Sequence, residues 1–68
     1  MKALSYFVYG FEGSGGRYLV LETRSAAEAR DLRLARVCSG FPTVVFSTEG
    51  ELTTEELDRY ADLDDRFS

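Results

Sequence analysis

Apolar positions in this chain come in short blocks, and the breaks between them hold glycine, proline or carboxylates. Residues 3–11 (Ala-Leu-Ser-Tyr-Phe-Val-Tyr-Gly-Phe) are almost wholly apolar and rich in aromatics, which suits a pleated strand. Residues 17–24 (Arg-Tyr-Leu-Val-Leu-Glu-Thr-Arg) read as a second strand. Between them, Glu12-Gly13-Ser14-Gly15-Gly16 supplies glycines that take positive φ at little cost, so the two strands form a hairpin. Residues 43–48 (Thr-Val-Val-Phe-Ser-Thr) make a third strand, followed by a turn at Glu49-Gly50. In the first strand, both alternating sets are apolar: Ser5, Phe7, Tyr9 and Phe11 on one side, Leu4, Tyr6 and Val8 on the other. Both faces are therefore expected to be covered. One helix covers one face, and the other face meets a second helix, another subunit or a partner.

The period changes after Arg24. Ser25 and Glu28 form a capping box, in which each side chain satisfies a backbone amide of the first helical turn. The first helix is expected from Ala26 to about Cys38, stopped by Gly40 and Pro42. Thr53 and Glu56 repeat the box, and the second helix is expected from Thr54 to about Asp65. The order is β-β-α-β-α. The fold class is α+β: a small antiparallel or mixed sheet of three to four strands with two helices. Glu51-Leu52-Thr53 is the candidate fourth strand.

At about 100° per residue, Ala27, Leu34 and Cys38 of the first helix fall together, with Ala35 and Leu32 beside them. That arc is expected to face the sheet, leaving Arg30, Arg33 and Arg36 in solvent. Asp31 falls within the apolar arc and needs either an arginine such as Arg24 or a place at the rim. On the second helix, Leu57 and Ala61 are expected to face the body, with Tyr60, Leu63 and Phe67 adjoining. Glu55, Asp58, Asp62 and Asp65 follow spacings of three, four and three, and project within an arc of about 80° on the opposite side. Two i,i+4 pairs, Glu55 with Arg59 and Asp62 with Arg66, are expected to add roughly 0.2–0.5 kcal/mol each.

Size and composition narrow the chemistry. Sixty-eight residues make one domain, 1–68, with a thin core and little room for a shaped pocket. Hydrophobic residues are 44% and charged residues 29%, as in a folded rather than a disordered chain. There is no histidine, and the single cysteine, Cys38, excludes an intrachain disulfide and a cysteine-rich zinc site. The glycine loop opens a strand at Arg17-Tyr18, not a helix, so it is a hairpin tip and not a phosphate cradle. Asp62-Leu63-Asp64-Asp65 lacks the glycine and later glutamate of a calcium loop. No enzymatic activity, cofactor or metal is expected. A lone thiol and the absence of a long apolar run point to a cytoplasmic chain with no membrane contact.

Charge is the feature that points outward. The last twenty residues carry eight carboxylates and two arginines, and the first forty-eight carry six basic and four acidic residues. The net charge is thus about +2 before Glu49 and −6 after it, which sums to the formal −4. Carboxylates along about 15 Å of helix match the charge density of one nucleic-acid strand, which carries a charge every 3.4 Å or so. Asp64 and Asp65 lie where the helix dipole disfavours negative charge, so stability alone does not account for them. A very small acidic chain of this element order resembles phage-encoded inhibitors, anti-CRISPR proteins in particular. The resemblance covers size, element order and the acidic stripe. It implies a non-enzymatic inhibitor in a bacterial host that blocks a DNA- or RNA-binding surface by mimicking nucleic-acid charge. The candidate partner-binding residues are Glu51, Glu55, Asp58, Asp62 and Asp65. The partner is a basic nucleic-acid-binding protein or complex, with no direct nucleic-acid binding, and the chain is a monomer or homodimer. The alternative is a self-associating structural or regulatory domain that pairs the arginine face of one helix with the acidic face of the other.

Overall fold

A computed structural model describes residues 4–13 and 15–67. The strands are β1 (Tyr6–Phe11), β2 (Arg17–Thr23), β3 (Thr43–Ser47) and β4 (Gly50–Leu52). The helices are α1 (Ala26–Cys38) and α2 (Thr54–Phe67). The class is α+β, and the fourth strand forms one residue earlier than the sequence placed it. All neighbours pair antiparallel in the order β2-β1-β3-β4. Since β2 and β3 both run against β1, they are parallel to each other, and α1 carries the chain from one to the other across β1. Ala3, the expected start of the first strand, and Ser14 in the hairpin tip lie outside the described residues.

Local chemistry explains the element ends. Gly15 takes φ +93° in the β1–β2 loop, where its amide donates to the Glu12 carbonyl at 3.0 Å. The Ser25 hydroxyl accepts from the Glu28 amide at 3.1 Å, but the Ser25 amide turns to Thr23 Oγ1 instead of to Glu28. The second capping box closes in both directions. Thr53 Oγ1 accepts from the Glu56 amide, and Glu56 Oε1 accepts from the Thr53 amide, both at 3.1 Å. At its other end α1 closes in a Schellman motif, with the Phe41 amide on the Arg36 carbonyl and the Gly40 amide on the Val37 carbonyl. Gly40 meets that geometry at φ +88°.

Both helices lie on one face of the sheet. The core consists of Tyr6, Val8 and Val45 from the sheet, Ala26 and Ala29 from α1, and Leu57 and Ala61 from α2. Among the described residues, only Leu57, Val8 and Val45 of the larger side chains are fully enclosed, each contributing roughly 1.5–3 kcal/mol. Small residues set the spacing here: Ala26 and Ala29 let α1 approach the sheet closely.

This packing turns α1 away from the expected orientation, although Ala27 and Leu32 do pack against the core. Ala26 and Ala29 face inward, whereas Leu34 is 53% exposed and Ala35 and Cys38 are also exposed. Arg30, Arg33 and Arg36 are half-buried, not solvated. Arg36 has a structural duty. It donates from Nε to Thr43 Oγ1 and from Nη2 to the Tyr18 hydroxyl, both at 3.1 Å. Its guanidinium also sits 5.8 Å from the Tyr18 ring and 5.4 Å from the Phe41 ring. Gly10 makes room for this cluster, since a Cβ there would run into Arg36 Nη2 and stand 2.9 Å from the Tyr18 ring. Asp31 is exposed and pairs at 3.3 Å with its neighbour Arg30, not with Arg24.

A carboxylate helix and an open sheet face

Helix α2 is a clean amphipath. Leu57 and Ala61 are buried, and Tyr60 packs against the same core with its ring 6.3 Å from that of Tyr6. On the far side Glu55, Asp58 and Asp62 are all exposed, so the structure brings these three together on one helical stripe. They span about 10 Å of helix, the length of about three phosphates on one strand. Among the described residues the single ion pair joins Arg30 and Asp31, so the expected Glu55–Arg59 pair is not formed. The side chains of Asp65, Arg66 and Phe67 lie outside the described residues, and so does the expected Asp62–Arg66 pair. Leu63 is exposed and not part of the anchoring arc.

Two acidic residues take other places. Glu51 lies on β4 opposite Phe46, whereas its neighbour Leu52 pairs with buried Val45. By the alternation of a strand, Glu51 points to the face away from the helices and is not continuous with the α2 stripe. Asp64 turns inward. Its Oδ2 accepts from the Ala26 amide at 2.6 Å, so it caps the first turn of α1 from across the molecule. The dipole argument from sequence therefore fails at Asp64. The carboxylate sits unfavourably at the end of its own helix but favourably at the positive start of the other. The spacing carried a signal for this, because residue 64 lies within about 20° of Leu57 on the buried arc.

Among the described residues, two groups have shifted acidities. Burial, and secondarily the Asp64 carboxylate and Tyr60, push the Tyr6 phenol above its ordinary value. The Thr53 amide and hydroxyl hold the Glu56 carboxyl below the ordinary glutamate range.

The second feature is the face without helices. Across it, Glu22, Phe7, Phe46 and Glu51 form one row, Leu19, Tyr9 and Val44 the next, and Arg17 and Phe11 a third. A bulge at Val20 shifts the pairing between Val8 and Tyr9, which lets Arg17, Leu19 and Glu22 share this side while Leu21 packs on the core. Tyr9 and Phe46 meet edge to face at 5.5 Å, and the Arg17 guanidinium lies 5.4 Å and 4.9 Å from their rings. Leu19 is 49% exposed. A second helix is one of the covers expected for this face, but both helices lie on the other side of the sheet.

Among the described residues no cluster of potential metal ligands occurs, and no helix is long and apolar enough to cross a membrane. Set against known protein families, curated proteins and solved structures, the chain matches none.

Proposed function

We propose that this chain is a non-enzymatic, protein-binding inhibitor whose α2 carboxylates occupy a basic surface that normally holds nucleic acid. The observation that carries this reading is the stripe of Glu55, Asp58 and Asp62, exposed and without a cationic partner among the described residues. A solvated helix that served only its own fold gains from i,i+4 pairs, and this stripe forgoes the one within reach. Asp65 extends the stripe by helical spacing, and Glu51 belongs to the rim of the other face. Lysines and arginines of the target would take the place of counterions, with fast, salt-sensitive association. A CRISPR effector in a bacterial cytoplasm is one target of the required chemistry. The alternative, a dimer joined by arginine and carboxylate helix faces, has less support, because Arg36 is already engaged with Thr43 and Tyr18.

The test is a pull-down from bacterial lysate with two baits, wild type and Glu55→Gln/Asp58→Asn/Asp62→Asn. The expected result is a nucleic-acid-binding protein that elutes from wild type as salt is raised and is lost from the variant. Equal recovery on both baits would overturn the reading.

A further inference from the structure

We propose that the open sheet face is an interface with a second copy of this chain, related by a two-fold axis that runs across the strands through the Leu19–Tyr9–Val44 row. The argument rests on charge as well as on apolar area. The face is polarised along the strands. Its end at Phe11 carries Arg17, and its end at Phe7 carries Glu22 and Glu51. Arg17 and Glu22 lie one row to either side of Leu19 on the same strand. A two-fold axis at Leu19 therefore sets each Arg17 over the Glu22 of the other copy, twice in the same interface. Neither residue has an ion-pair partner within its own chain among the described residues. Sheets packed face to face stand about 10 Å apart, a gap that an arginine and a glutamate reaching from opposite sides can close.

The same axis lays the Leu19, Tyr9 and Val44 rows on each other and brings Phe11 over the partner's Phe7. Alone, the Arg17 guanidinium rests inward over Tyr9 and Phe46, and in the dimer it swings outward to the partner's Glu22. Glu22 and Glu51 at the margin repel phosphates, which argues against nucleic-acid bases as the occupant of the aromatic face. The face is about 19 Å wide and about 20 Å long from strand spacing and length. A standard interface takes about 800 Å² per partner, against a total accessible surface here of 4746 Å². In projection the face comes to about 380 Å², below that standard, so the contact is weak and dimer formation depends on concentration. It is independent of the α2 stripe, which lies on the other side of the sheet and stays free in the dimer.

The test is sedimentation equilibrium over a dilution series, with circular dichroism to check the fold of each variant. Wild type is expected to approach twice the 7.6 kDa chain mass at high concentration and to fall toward it on dilution. Arg17→Glu and Glu22→Arg alone are each expected to weaken the dimer on the order of ten-fold or more, because like charges then face each other. An equimolar mixture of the two variants restores opposite charges at both contacts and is expected to return the dimer mass. Leu19→Lys, at an exposed position the monomer tolerates, is expected to give a folded monomer. A wild type that stays at the monomer mass throughout, or a mixture no heavier than its components, would overturn the proposal. So would binding of a single-stranded oligonucleotide that Leu19→Lys abolishes while the chain remains monomeric.

Discussion

The two helices begin with the same device and end with opposite roles for their charged residues. Each starts at a serine or threonine that caps the amide three residues on. Helix α2 then separates its residues by character, with Leu57 and Ala61 inside and Glu55, Asp58 and Asp62 outside. Helix α1 mixes them: Ala26, Ala29 and Leu32 pack inward and Arg36 reaches Thr43 and Tyr18, while Leu34 and Val37 face outward. The difference shows what decides a helix orientation in a thin domain. Close approach to the sheet matters more than total hydrophobicity, and an arginine that finds acceptors and rings can serve as packing.

The comparison breaks most readily at the inner face of α2. Leu57→Ala is expected to cost about 2–5 kcal/mol, because the Leu57 side chain is fully enclosed. A domain this size has about 3–5 kcal/mol to lose, so thermal denaturation should find this variant largely unfolded. The matching change on α1, Arg36→Ala, removes two hydrogen bonds and two ring contacts, and is expected to cost about 1–3 kcal/mol in a chemical denaturation series. If Arg36 were an ordinary surface residue, the loss would stay within about 0.5 kcal/mol. The contact that ties the helices together comes next. Asp64→Ala leaves the Ala26 amide without its carboxylate and is expected to cost about 0.5–2 kcal/mol, with Asp64→Asn recovering part of it.

The smallest effects lie at the surface and in pH. Leu34→Gln on α1 and Asp58→Asn on α2 should each change stability by no more than about 0.5 kcal/mol, despite the opposite character of the two residues. Glu56 gives a signed pH test. Its carboxyl is held below the ordinary range in the folded chain, so its stabilisation is present above the unfolded value and is lost as pH falls through the folded one. The stability gap between wild type and Glu56→Ala should therefore be widest near neutrality and should shrink on acidification. A gap that widens in acid would mean that the Thr53–Glu56 box does not act as described.

The contrast between the helices also marks how far sequence carried. Both helix starts, the glycine stop at Gly40 and the hairpin were legible because they depend on a few neighbouring residues. The α2 face was legible because its buried residues are large and regularly spaced. The α1 face was legible only in part, since choosing Ala29 over Leu34 as the inner residue requires knowing how closely the helix approaches the sheet. Asp64 misled for a related reason: its partner amide is thirty-eight residues away in sequence. The open aromatic face was half legible. Alternation gave the two apolar sides of β1, but nothing local told which side the second helix would take. Of the candidate binding residues, Glu55, Asp58 and Asp62 assemble as their spacing implied, whereas Glu51 falls on the other side of the sheet because strand alternation, not helical spacing, governs it.

The central claim is that the α2 stripe competes with nucleic acid for a basic surface. The most direct measurement takes the partner recovered by wild type, loads it with labelled nucleic acid, and follows release by fluorescence anisotropy as this chain is added. Wild type is expected to displace the nucleic acid, less effectively as salt rises, and Glu55→Gln/Asp58→Asn/Asp62→Asn is expected to displace little or none. Displacement of equal strength by both chains, or a partner that binds this chain and nucleic acid together, would contradict it.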